Sequence, residues 1–289
     1  RTLFYLITLI ERIDHLIVAV EDLDTAEINY TKIFGNKPVW RGEHQSLGTK
    51  NSIFNFNNLY LELLAANGNG AGASLINSTL EENGEGLAGI VFGSDNLNKT
   101  KEQLSLKGYE LSGLTEGEGF DEDAGKKRAW ESLFFPNEIT RGLFSFVIEH
   151  KTGNLEAVNT VKSDCVNKLD HVVINTNDAE GFIQIYEKDL GIRLALDQTV
   201  EKWGGRMLFF RLNKTTIEVI ARSDESEPKD SLWGLAWDVK DLEATYKRLT
   251  QLGIEATPVK EGRKPNTLVS TIKSHTCNIP TLFIEHLSS

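Results

Sequence analysis

The sequence predicts an α+β protein of four βαβββ units, paired into two domains whose mixed sheets curl around a cleft. Three observations carry this. Residues 13–35 (IDHLIVAVEDLDTAEINYTKIFG) and 169–191 (LDHVVINTNDAEGFIQIYEKDLG) align without a gap. Two weaker copies, residues 89–109 and 234–254, repeat the order strand, turn, helix, glycine. Finally, a lone glutamate stands in an otherwise apolar run at the end of every unit: Glu62 in YLELLAA, Glu149 in SFVIEH, Glu218 in TIEVIA and Glu285 in LFIEHL.

Each long copy starts with Asp-His ahead of an apolar strand. Acidic residues then open an amphipathic helix and a glycine closes it, as capping and the helix dipole favour. Several short strand-like runs follow each helix. The units therefore span 13–66, 86–150, 168–222 and 231–287. The first pair makes a domain over 13–150, and the second pair a domain over 167–289. Residues 151–166 read as a polar join, and residues 1–12 as a short extension packed on the body. The stretches 65–74 (AANGNGAGAS) and 116–127 (EGEGFDEDAGKK) read as long loops, the second as a mobile flap over a site.

Composition narrows the function. With 40% hydrophobic and 25% charged residues the chain has the make-up of an ordinary globular protein. A net charge of −11 argues against nucleic acid and anionic lipid as partners. The apolar start RTLFYLITLI is too short to span a bilayer and has no small-residue cleavage site, so the expected location is cytoplasmic. Cys165 and Cys277 read as small buried hydrophobes, with a single disulfide between them left open. Neither a phosphate-binding loop, a dinucleotide fingerprint nor a serine elbow occurs, so no nucleotide cofactor is expected. The expected partner is a small molecule, and the expected state a monomer or homodimer.

A carboxylate on a strand apolar on both faces costs several kcal/mol unless a charge, a metal or hydrogen bonds meet it. The glutamates keep a fixed relation to the histidines. His15 to Glu62 and His171 to Glu218 are both 47 positions. Arg128, Lys50, Arg206, Arg211 and Arg263 are available as alternative partners.

Paired βαβββ units with a ligand-type residue on the first strand and a glutamate on the last resemble the vicinal oxygen chelate superfamily. That group contains glyoxalase I, extradiol dioxygenases and bleomycin-resistance proteins. DHLIVAVEDLD, the run from GTKN to YLELLAA, and GLAWDVKDLEA look most like its two-domain glyoxalase-like members. The resemblance implies ligands for one divalent ion, Zn²⁺, Fe²⁺, Mn²⁺ or Ni²⁺, from His15, Glu62 and Glu149 in the first domain and from His171, Glu218 and Glu285 in the second. The fourth ligand place holds Gly89 in one and Gly234 in the other, where a glycine lets substrate approach the backbone. That loss counts against extradiol dioxygenase chemistry. It leaves a metal-dependent lyase or isomerase that acts on a small oxygen-bearing substrate through an enediolate, with Glu149 or Glu285 as base. The alternative is a metal-free small-molecule binding or sequestering protein of the bleomycin-resistance kind. A third arrangement makes one domain active and the other its structural mate.

Further candidates stand around these sets. His44 can reach the mouth of the first cleft, or else is a solvated loop histidine. Asn51 and Arg206 orient an anionic substrate if they point inward, and are otherwise edge or surface residues. His275 reads as a turn residue, or else as a pocket residue. His150 and His286 follow the glutamates and should turn to the opposite face. Trp130, Trp203, Trp233 and Trp237 read as core or cleft wall.

Overall fold

The structure, a computed structural model, describes residues 9–158 and 162–288. The predicted extension over 1–12 therefore lies largely outside the described residues, as do three positions of the join and the side chain of Trp203. The first half contains β1 (Arg12–Ala19), α1 (Leu23–Phe34), β2 (Trp40–His44), β3 (Thr49–Asn55), β4 (Tyr60–Ala66), α2 (Ala71–Asn83), β5 (Gly86–Gly93), α3 (Leu97–Leu106), β6 (Thr115–Asp121), β7 (Lys126–Phe134), α4 (Asn137–Thr140) and β8 (Ser145–Thr152). The second contains β9 (Val166–Thr176), α5 (Ala179–Ile183) continued by a π turn, β10 (Arg193–Val200), β11 (Gly205–Leu212), β12 (Thr215–Ala221), β13 (Asp230–Val239), α6 (Leu242–Gln251), β14 (Lys260–Glu261), β15 (Thr267–Ile272) and β16 (Thr281–His286).

The helices start where the sequence signals them. Asp22, Asn96, Asp178 and Asp241 each accept a backbone N–H of the first turn of α1, α3, α5 and α6. Gly35 ends α1 in the left-handed region, φ 73°.

Neighbouring units pair within each half. β1 runs antiparallel to β5, and β9 to β13, while β4 and β12 lie parallel to the first strand of their own unit. The two sheets then differ. In the first, the order β1-β4-β3-β2-β6-β7-β8-β5 closes into a barrel, with β2 meeting β6 at Glu43 and Phe120. In the second, the order β10-β11-β12-β9-β13-β16-β15-β14 stays open. β6 has seven residues and β14 only two, so the second sheet lacks a strand long enough to reach β10.

Two predicted loops are corrected here. Residues 116–127 form most of the β6–β7 hairpin rather than a flap, with Phe120 opposite Lys127. Alternation survives the glycines because Trp130 covers Gly117 and Gly119 on one face. Residues 65–74 end β4 and, from Ala71, begin α2.

One apolar core runs through both halves. Phe34 of α1 packs on Trp237 at 4.7 Å, Phe56 on Trp237 at 5.1 Å, and Phe92 on Tyr186 at 6.2 Å. Arg248 of α6 donates to the carbonyls of Lys32 and Ile33 at the C-terminal end of α1. Arg141 pairs with Asp178 and with the fully buried Asp230. Cys165 and Cys277 are free thiols. Among the described residues no helix is long and apolar enough to cross a membrane.

Candidate functional site

Strand pairing explains the matched 47-residue interval. On β1, Ile17 faces the concave side with Val91, Phe146 and Ile148, while Leu16 and Val18 face the helices. His15 shares the face of Ile17. β4 lies parallel to β1 with Glu62 opposite Ile17, which brings Glu62 Oε2 to 3.3 Å from His15 Nε2. In the second half β12 and β9 repeat the arrangement, and Glu218 Oε2 stands 3.5 Å from His171 Nε2.

The other ring nitrogen of each histidine is held by the aspartate before it. His15 Nδ1 lies 2.8 Å from Asp14 Oδ2, and His171 Nδ1 2.7 Å from Asp170 Oδ1. The second oxygen of each aspartate meets another histidine: His150 Nε2 at 2.9 Å from Asp14, and His286 Nε2 at 2.6 Å from Asp170. Burial opposes ionisation of both aspartates. The hydrogen bonds from two histidines more than offset it and hold each carboxyl well below its ordinary range. The result is a four-residue chain, made twice: His150–Asp14–His15–Glu62 and His286–Asp170–His171–Glu218.

Glu149 and Glu285 do not join it, which corrects the expected ligand sets. Phe146 and Ile148 face the barrel interior, so Glu149 turns to the helices. There its Oε2 accepts the Leu97 N–H at 2.8 Å and its Oε1 the Lys151 ammonium at 2.6 Å. Glu285 likewise accepts the Leu242 N–H at 2.7 Å. Each glutamate satisfies an orphan donor at the start of α3 or α6. The inward place falls to His150 and His286, one residue later and opposite to the sequence expectation.

The expected three-ligand chelate is therefore not assembled. His171 and Glu218 offer two ligands; His286, on the same face, turns its Nε2 to Asp170 instead, and neither glycine leaves room for a third group. A Cβ on Gly89 would stand 2.9 Å from Phe144 Cδ1, and one on Gly234 2.7 Å from the Pro280 carbonyl oxygen. Packing, rather than substrate approach, accounts for both glycines. A catalytic divalent ion with three protein ligands does not fit this pair.

Around Glu62 the barrel interior is lined by buried side chains. Asn51 donates to Glu62 Oε1 at 3.0 Å and accepts from Trp40 Nε1 at 3.2 Å. His44 is buried rather than solvated. Its Nδ1 lies 2.9 Å from Thr49 Oγ1, and its Nε2 3.5 Å from Asn51. Burial pushes the His44 imidazole down; Glu62 opposes this, and Arg128 and His15 add to it. Arg128, 4% exposed, lies over Trp40 at 4.7 Å, with Trp130 and Tyr60 close by. Tyr60 in turn stacks on His15 at 4.4 Å.

Around Glu218 the open sheet leaves a cavity of about 570 Å³. His171 and Glu218 line it, together with Met207, Phe209, Leu235 and Ile284 and the cations Lys260, Arg263 and Lys264. Arg206 is not among them. It lies on the other face of β11 from Met207 and Phe209, where it pairs with Asp197 and Glu180. His275 sits in a turn with φ 68°. Sequence reasoning missed the bridging aspartates and the lysines of residues 260–264. The Asp-His pairs and the twice-repeated Glu-His were the available signals.

The architecture and these duplicated chains agree with the family comparison. The profile described as Glyoxalase-like domain matches residues 13–166, and that described as Glyoxalase/Bleomycin resistance protein/Dioxygenase superfamily matches residues 170–270. The chain belongs to the glyoxalase-like family, as a two-domain member of the vicinal oxygen chelate superfamily. Among solved structures it is similar to a triple mutant of 4-hydroxymandelate synthase from Streptomyces coelicolor (15% identity, 97% of this chain and 94% of that chain, TM-score 0.67). It is also similar to a hypothetical protein from Staphylococcus aureus (12%, 96% and 99%, TM-score 0.64). The Mn(II)-bound glyoxalase from Novosphingobium aromaticivorans is a third (14%, 96% and 83%, TM-score 0.62). At these identities the likeness is one of fold. No curated protein matches the sequence.

Proposed function

We propose that the second sheet binds a small, partly apolar molecule carrying an anionic or carbonyl oxygen, and that Glu218 and His171 accept or move a proton on it without a metal between them. The observation that carries this reading is the contrast between the halves. The same His–Glu pair is enclosed among buried side chains in one and lines a cavity of about 570 Å³ in the other. Met207, Phe209 and Leu235 offer an apolar wall, and Lys260 and Lys264 favour a negative group. Asp170 holds the His171 ring so that Nε2 faces Glu218. Any proton passing to His171 then has a hydrogen-bonded path through Asp170 to His286, which reaches solvent. The first half is the structural mate in this reading.

The test is thermal stabilisation by a panel of small aromatic and aliphatic carboxylates and oxo acids. It compares the wild-type chain with Met207→Trp, which fills the cavity, and with Glu218→Gln. A compound that raises the melting temperature of wild type and not of Met207→Trp supports the site. Equal stabilisation of both places the ligand elsewhere and rejects it.

A further inference from the structure

The internal repeat allows each residue around Asp14 to be compared with its counterpart around Asp170. Gly93 and Asp238 hold equivalent places: GIVFG aligns with GLAWD, and Arg12 pairs with Gly93 as Lys168 pairs with Asp238. In the first half the Arg12 side chain lies across that glycine, where an added Cβ would stand 2.6 Å from Arg12 Nε. From there the guanidinium reaches Asp14 at 3.8 Å and Asp95 at 2.9 Å. A protein cation thus accompanies the bridging aspartate.

In the second half a carboxylate occupies that place. Asp238 faces Asp170, whose ion-pair partners are His171 and His286, with the Lys264 charge also acting on the Asp170 carboxylate. The ligating atoms of Asp170, Asp238 and His286 all lie within 4.8 Å of one another. One Asp238 oxygen accepts from Asn167 at 2.9 Å, which orients the carboxylate and leaves its second oxygen for another partner. His286 is 48% exposed at its side chain, so water can reach the group.

We propose that Asp170, Asp238 and His286 bind one divalent transition-metal ion, which takes the place of the Arg12 guanidinium in the first half. Two carboxylates and one imidazole are a donor set for Zn²⁺, Co²⁺, Ni²⁺ or Mn²⁺, with water completing the shell. Bonds of about 2.0–2.2 Å require that the three side chains, on β9, β13 and β16, rotate towards one another. The ion lies on the Asp170 side of the His171 ring, away from Glu218. None of its three ligands lines the cavity, so ligand binding there is tested separately, but Asp170 and His286 also form the proton path proposed above, and a bound ion replaces the solvent end of that path.

The experiment uses the full chain without a histidine tag, stripped with chelator and titrated calorimetrically with Zn²⁺ and with Mn²⁺. Metal content after desalting is read by mass spectrometry. Wild type should retain one equivalent. Asp238→Asn and His286→Gln should weaken binding at least tenfold, whereas Glu218→Gln should leave it unchanged. A second variant, Lys168→Arg with Asp238→Gly, copies the first half. It should fold with an unchanged circular dichroism spectrum and bind no ion, which separates lost binding from lost fold. Absence of stoichiometric binding by wild type overturns the proposal. So does an ion lost in Glu218→Gln and kept in Asp238→Asn, because that ion sits in the cavity.

Discussion

Asp14 is a carboxylate 6% exposed between two imidazoles, and its charge is stable there only because both rings donate to it. Its folded pKa lies below the ordinary 3.8 despite burial. The sign follows: the stabilisation is fully present above about pH 4 and is lost as pH falls towards the folded value. Asp14→Asn should therefore cost about 2 kcal/mol at pH 7. Its unfolding free energy should also fall less steeply than that of wild type between pH 5 and pH 2, measured by urea unfolding. Parallel slopes would show that Asp14 is not the group titrating. Asp14 was visible as half of a repeated dipeptide. Its role was not, because the histidine completing its pair lies 136 residues away in sequence.

Among the elements, α3 and α6 are anchored by the last strand of their own unit. Asn96 and Asp241 cap their N-termini from within the chain, and Glu149 and Glu285 reach across from β8 and β16 to the first helical N–H. Glu285→Ala should cost about 1 kcal/mol of stability and leave stabilisation by a cavity ligand unchanged. Loss of ligand response with an intact fold would instead mean that Glu285 turns into the cavity. The sequence run FIEH presents two polar residues at a strand end. A period of two places one of them on each face, but only the register against the neighbouring strand decides which is which. The β6–β7 hairpin was missed for a related reason. Its glycines and acids read as loop, yet Trp130 supplies the packing that Gly117 and Gly119 lack.

The whole molecule is joined through aromatic packing rather than by the polar segment between the halves. Trp237, 1% exposed, lies against Phe34 and Phe56 of the other half. Trp237→Ala should cost about 3–5 kcal/mol and lower a single unfolding transition seen by circular dichroism. Two separated transitions, with only the later residues weakened, would show that the halves fold independently.

Sequence alone determined the four units, their strand–helix order and the matched His–Glu intervals. These follow from local periodicity and from a spacing repeated without a gap, which strand pairing converts directly into proximity. Tertiary structure decided which sheet is open and which polar residues face inward. Closure depends on whether β6 or β14 is long enough to reach the opposite edge, and on the bulk of Trp40, Trp130 and Arg128 inside the barrel. The same His–Glu pair therefore meets Asn51 in one half and a cavity in the other. A difference in enclosure, not in the pair itself, places the candidate site in the second half.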